Sequence, residues 1–187
     1  LDRSSAASDV YKRQIFNQLT GLHAKTGNYP GVTVSRSEGV ARIHDHTFAI
    51  EDLPGTYSLS PISPDEQVVV DVLDGRMDQV SAPDALVVVA DATALRRSLL
   101  LLAEVLPRHL PTAVVVTMTD ELRRRQGSLD VTALSQALGV PVVAVVANRG
   151  IGIGELRNLL TTWHDWDRPP LDPPGRSSAV SYTHLRA

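Results

Sequence analysis

Three apolar runs, Ala85–Ala90, Thr112–Met118 and Pro141–Val146, each followed by a segment with helical periodicity, restrict what this chain can fold into more than any other feature. A run of aliphatic residues without polar alternation suits a strand buried on both faces, and such strands belong to parallel sheets flanked by helices. The intervening segments fit that arrangement. Leu95–Leu106 reads as a helix stopped by Pro107, Val131–Leu138 as a helix closed by Gly139, and Gly154–Trp163 as the last helix, while Pro64–Leu73 precedes the first run. The fold expected is α/β, a doubly wound and mostly parallel sheet whose ligand chemistry lies at the carboxyl ends of its strands.

The amino-terminal part follows another pattern. Phe16–Thr20 reads as the end of a helix capped by Gly21, and a Gly/Pro-containing loop runs on to Gly31. Val32–Ser37 and Val40–Ile43 form an extended arm, and Thr47–Glu51 alternates as its returning strand. His44-Asp45-His46 between them is a solvated turn; a metal site needs further ligands that the neighbourhood does not supply. This hairpin delivers the chain into Asp52.

Composition removes several classes of function. With 187 residues, 43% hydrophobic, and a formal net charge of -3, the chain has the content of one globular domain and no basic excess for nucleic acid. It contains no cysteine, hence no disulfide and no thiolate metal site. Each apolar run falls far short of the roughly 20 residues a membrane helix requires, so no membrane span is expected.

Asp52-Leu53-Pro54-Gly55-Thr56-Tyr57-Ser58-Leu59, preceded by Gly27-Asn28-Tyr29-Pro30-Gly31-Val32-Thr33-Val34, reads as a pair of phosphate-sensing switches. A carboxylate at a strand end, Asp52, can hold Mg²⁺ through water, and Gly55 lets its backbone N–H approach a terminal phosphate because no side chain intervenes. Thr33 would offer its hydroxyl to the same Mg²⁺. The plainer readings are an ordinary Asp-x-Pro-Gly turn and a β-branched edge-strand residue. A base-recognition element follows the second run as Thr117-Met118-Thr119-Asp120, where the Asp120 carboxylate can accept two hydrogen bonds from a guanine edge and adenine offers no matching proton. Thr117 stands where an asparagine is usual and lacks an amide's donor and acceptor pair. The alternative for Asp120 is a helix N-cap. Val146 and Ala147, at the end of the last strand, would add backbone N–H groups toward the guanine carbonyl.

Other features have simpler explanations. Gly150, Gly152 and Gly154 follow the last strand rather than the first and form a loop, not a dinucleotide fingerprint. Arg123-Arg124-Arg125 is an exposed helix face, and Trp163 and Trp166 anchor the final helix against the sheet.

A P-loop requires glycines, a lysine and a Ser/Thr ahead of a helix, and nothing before Phe16 supplies that pattern. Lys12 occupies the spacing of a P-loop lysine, yet Tyr11 stands where glycine is needed and Arg13 where the hydroxyl is needed. The coincidence reads as accidental. A DNA segment encoding Asp9–Gln14, read on its complementary strand in a shifted frame, gives Val-Ser-Tyr-Thr-His, the run Val180–His184. Both ends thus resemble translations of a transposon adaptor used to fragment sequencing libraries. The organisation expected is an adaptor-derived segment at 1–14, a partial domain at 15–165, a Pro-rich linker at 166–179 and a second adaptor-derived segment at 180–187. The first central strand of the sheet would be missing, its neighbours would keep open edges, and the chain would be unstable or aggregate.

Phe16-Asn17-Gln18-Leu19-Thr20-Gly21, Gly27–Val34 and Asp52–Leu59, with matching positions as far as Gly154, closely resemble the G domain of the ferrous iron transport protein B family, a translation-factor-related group of P-loop GTPases. Departures from the family pattern are the absent P-loop, Thr117 for asparagine, and Val146 where a small hydroxyl residue is common. The resemblance implies a GTP-hydrolysing switch which, in the intact protein, is followed by a helical regulatory domain and a membrane domain carrying Fe²⁺ across the bacterial inner membrane, with this domain on the cytoplasmic face. It implies GTP/GDP as ligands, Thr33 and Asp52 serving Mg²⁺, Gly55 the terminal phosphate, and Thr117, Asp120, Val146 and Ala147 the base. K⁺ enters as a second ion, held in related proteins partly by the P-loop. Thr56 stands where Ras-like enzymes place a water-orienting glutamine, so no catalytic residue is assigned. An oligomer remains open. The fragment itself is expected to be inactive. Two other readings stay available: a soluble GTPase of ribosome assembly or tRNA modification, and a degenerate nucleotide-free interaction module.

Overall fold

The structure, a computed structural model, describes residues 3–166. The expected tail at 180–187, and the expected linker beyond Trp166, lie outside the described residues.

The first helix, α1, spans Arg3–Thr20, so the segment ahead of Ile15 is helical rather than a replacement strand. It ends where Gly21 turns left-handed at φ 63° and the Leu22 N–H closes back onto the Asn17 carbonyl at 3.2 Å. Its buried face is Ile15, Phe16, Leu19 and Thr20, one stripe at helical spacing.

An antiparallel three-stranded sheet follows, β1 (Ala24–Asn28), β2 (Ser35–Ile43) and β3 (His46–Asp52), in that order. The expected hairpin is β2–β3, in register Ser37 with Asp52 and Ile43 with His46. Strand β1 lies where a loop was expected. All five of its residues are exposed, so it has no apolar face to reveal it and is held by backbone pairing to β2, Asn28 opposite Ser35. Gly39 of β2 has a packing role: a Cβ there would lie 2.9 Å from Thr20 Cβ and 3.1 Å from Phe16 Cζ, so its absence lets α1 rest on the sheet.

Helix α2 (Pro64–Leu73) begins with a capping box between Ser63 and Glu66. The parallel sheet then alternates with helices as β4 (Leu86–Asp91), α3 (Leu95–Val105), β5 (Thr112–Thr117), α4 (Thr119–Arg124), α5 (Val131–Leu138), β6 (Val142–Ala144) and α6 (Ile153–Thr161), with strand order β4-β5-β6. This is the α/β architecture expected. Every residue of β5 is buried, because Ala113 and Val115 feed one core and Val114 and Val116 the other. Strand β4, expected to be buried on both faces, is half-buried over Leu86–Val89, since it ends its sheet.

The two sheets do not pair. β3 and β4 are edge strands, and α1 lies against both. One core cluster joins Ile15 and Leu19 of α1 to Ala41 and Ile43 of β2, Ala113 and Val115 of β5, and Leu156 and Leu160 of α6. Trp166 belongs to it, with its indole N–H donating to the Leu159 carbonyl at 3.2 Å, and Trp163 packs at its margin. No helix among the described residues is long and apolar enough to cross a membrane.

Candidate functional site

The carboxyl end of β3 delivers Asp52 into a corner formed by α1. The Asp52 side chain is only 6% exposed, and one of its oxygens, Oδ1, is buried without a hydrogen bond. Lys12 Nζ stands 3.4 Å from that oxygen and donates to the Leu53 carbonyl, while Arg13 Nε lies 3.9 Å from Oδ2. Asp9 Oδ1, 3.7 Å from Lys12 Nζ, reaches so close to Gly55 that any Cβ there would collide with it. α1 therefore covers the Asp52–Gly55 segment, through residues that sequence reasoning set aside.

Beyond Gly55 the chain is fixed by short polar contacts. The Thr56 hydroxyl donates to the Ser58 carbonyl and accepts from the Ser58 N–H at 3.2 Å, so it is engaged locally. The Glu104 carboxylate of α3 accepts from the Ser58 hydroxyl at 3.1 Å and from the Leu59 N–H.

Thr33 is exposed in the loop between β1 and β2. Among the described residues, the charged groups paired with Asp52 are Lys12 and Arg13. The loop that carries Thr33 is tied to the strand that carries Asp52 through Tyr29 rather than through Thr33 itself. Tyr29, 1% exposed at the start of that loop, donates its hydroxyl to Glu51 Oε1 at 2.6 Å, and Glu51 directly precedes Asp52. Arg36 grips the same carboxylate through Nε at 3.2 Å and Nη2 at 3.1 Å, and lies 3.4 Å from Glu38. Burial, and then the hydrogen bond to Glu51, push the Tyr29 hydroxyl well above the ordinary tyrosine range. The bond to Glu51 likewise raises Arg36. The available signal for this cluster was the juxtaposition of like charges, Glu38 opposite Glu51, which requires a cation on the same face; Arg36, two residues along, supplies it.

A second site forms at the carboxyl ends of β5 and β6. Thr117, Asp120, Val146 and Ala147 line one cavity of about 170 Å³, together with Met118 and Asn148. The tight exit from β5 is made by Met118 in the left-handed region at φ 62°, which places Asp120 in the first turn of α4 rather than at its N-cap. Thr117 is 2% exposed and donates its hydroxyl to the Ala90 carbonyl at 3.2 Å, so it ties β5 to β4. Asp120 Oδ2 is 3.3 Å from Arg124 Nη2, and Arg124 Nη1 reaches Glu121 at 2.7 Å. Tyr11 of α1 closes one side of the cavity, and the Gln18 amide donates to the Ala147 carbonyl at 3.4 Å. A carboxylate beside backbone at strand ends can take the two adjacent donors of a flat heterocycle edge.

The donor chemistry at Asp52 suits a hard cation: carboxylate oxygen, with one buried oxygen left without a hydrogen bond. No group of three or more His, Cys, Asp or Glu able to hold a metal ion occurs among the described residues, and His44, on its turn, meets Asn158 Oδ1 at 3.3 Å.

Residues 7–160 match the profile of a family described as ferrous iron transport protein B. The match begins inside the segment expected to be non-native. An Fe(2+) transporter FeoB of Leptospira biflexa is 41% identical over 150 residues, covering 80% of this chain and 21% of that protein. Among solved structures, the cytosolic domain of the T. maritima FeoB iron transporter in its GMPPNP form superposes with a TM-score of 0.77 at 35% identity, over 87% of this chain and 64% of that one. The G domain of the same transporter gives 0.73 at 35% identity, over 83% and 92%. The chain spans about a fifth of the length of the curated relatives it matches.

Proposed function

The chain belongs to the ferrous iron transport protein B family, and on that premise we propose that it is the guanine-nucleotide-binding domain of a bacterial ferrous iron transporter. In the whole protein this domain hydrolyses GTP on the cytoplasmic face of the inner membrane, joined to a membrane domain that carries Fe²⁺. The observation that carries the reading is the convergence of Thr117, Asp120, Val146 and Ala147 on one cavity at the strand ends. Asp120 accepts the two donors of the guanine edge, and Arg124 yields or shares its oxygen as the base enters. Thr117 lines the same cavity while its hydroxyl ties β5 to β4. Asp52 and Thr33 would hold Mg²⁺, which would supply charge neutralisation of the phosphates, and Gly55 would offer its N–H to the terminal phosphate. K⁺ is the second ion of this reading. Within 187 residues that carry no P-loop pattern, base recognition persists without GTP turnover.

Ligand-observed saturation-transfer NMR on the chain with guanosine, adenosine and xanthosine tests this. Guanosine should bind and adenosine should not. Asp120→Asn should reverse the preference toward xanthosine, whose ring offers one donor and one acceptor to an amide. Equal signals for guanosine and adenosine would reject the base site.

A further inference from the structure

The Asp52 corner already contains a cation of the chain's own. Lys12 Nζ is 3.4 Å from Asp52 Oδ1, bonds the Leu53 carbonyl and lies 3.7 Å from Asp9 Oδ1, with its side chain 25% exposed. Arg13 stands by the other Asp52 oxygen at 3.9 Å but is 71% exposed, so Lys12 is the inner charge. An unpaired carboxylate this buried is unfavourable, which gives the ammonium a reason to stay. From this geometry we propose that Lys12 is an internal counter-cation: it takes the divalent cation's place at Asp52, and the Asp9–Arg13 turn of α1 must leave before a metal–nucleotide complex can engage. The device regulates the same site as the nucleotide reading and rests on it.

The competition is electrostatic and local. A divalent ion and an ammonium cannot share one buried oxygen, since like charges that close repel. Asp9 beside Gly55 adds a second block, because a carboxylate then stands next to the segment meant to receive a phosphate. α1 thus opposes anion and cation binding together. The contact exists in this chain whatever the origin of residues 1–14.

Lys12 and Lys25 are the only lysines, which supplies an internal control. The whole chain would be acetylated at low reagent concentration and the two lysine peptides followed by mass spectrometry. Lys12 should react several-fold more slowly than Lys25, which lies on the exposed strand β1. Millimolar Mg²⁺ should accelerate Lys12 selectively, compared with NaCl of equal ionic strength. Asp52→Asn should accelerate it without Mg²⁺ and abolish the response. Equal rates at the two lysines, or no effect of Mg²⁺ on Lys12, would overturn the proposal without any variant having to fold. Guanosine binding is read separately: its absence with Lys12 still protected and Mg²⁺-responsive would count against the nucleotide reading alone and uphold the counter-cation.

Discussion

Arg36 shows how a single side chain makes the β2–β3 hairpin tolerable. Glu38 and Glu51 face each other in register, and Arg36 reaches both, at 3.4 and 3.1 Å. Arg36→Met keeps the aliphatic stem but leaves the two carboxylates facing each other and the Glu51 oxygens short of donors. The expected loss of stability is about 1–3 kcal/mol, to be read from chemical denaturation. A variant as stable as the parent would show that the cluster is solvated. Asp52, Asp120, Val146 and Ala147 were legible as candidates because strand ends and turn chemistry announce themselves in sequence. The groups that hold or cover them were not: Lys12 and Tyr11 have partners set by tertiary approach, which residue spacing does not encode.

At the scale of elements, apolar content decided what could be read. α2 and α5 lie at the expected Pro64–Leu73 and Val131–Leu138 because a capping Ser63 and a closing Gly139 bound them. β1 escaped notice because Ala-Lys-Thr-Gly-Asn buries nothing. The loop from β1 to β2 nonetheless has an anchor in Tyr29, whose raised pKa carries a prediction. A group bound more tightly to its proton when folded lends stability that is intact below its unfolded value and is lost above it. With an ordinary value of 10.0, the loss should begin as pH rises through that point. Tyr29→Phe should be less stable near neutral pH, for want of the Glu51 bond, and should lose that alkaline component. Thermal unfolding of both proteins between neutral pH and pH about 11 would show it.

For the whole molecule, the decisive fact is that two three-stranded sheets present β3 and β4 as edges, with α1 lying against both and a core shared between the sheets. Sequence reasoning identified the alternation of strands and helices and expected a missing central strand whose neighbours keep open edges, and β3 and β4 do stand as open edges of separate sheets; the pairing and register of the remaining strands leave no local mark. Sheet edges left without a strand partner are templates for other chains. Association that rises steeply with concentration is therefore expected in light scattering, with thioflavin-positive species among the products. A monomer that stays monodisperse across that range and melts in one cooperative step would contradict it.

Since Lys12 reaches the Asp52 corner while Tyr11 and Gln18 reach the base cavity, one stiff rod is wedged against both halves of the candidate nucleotide site. Levering that rod away from either half pries it from the other, so the two halves should become accessible in a single opening motion.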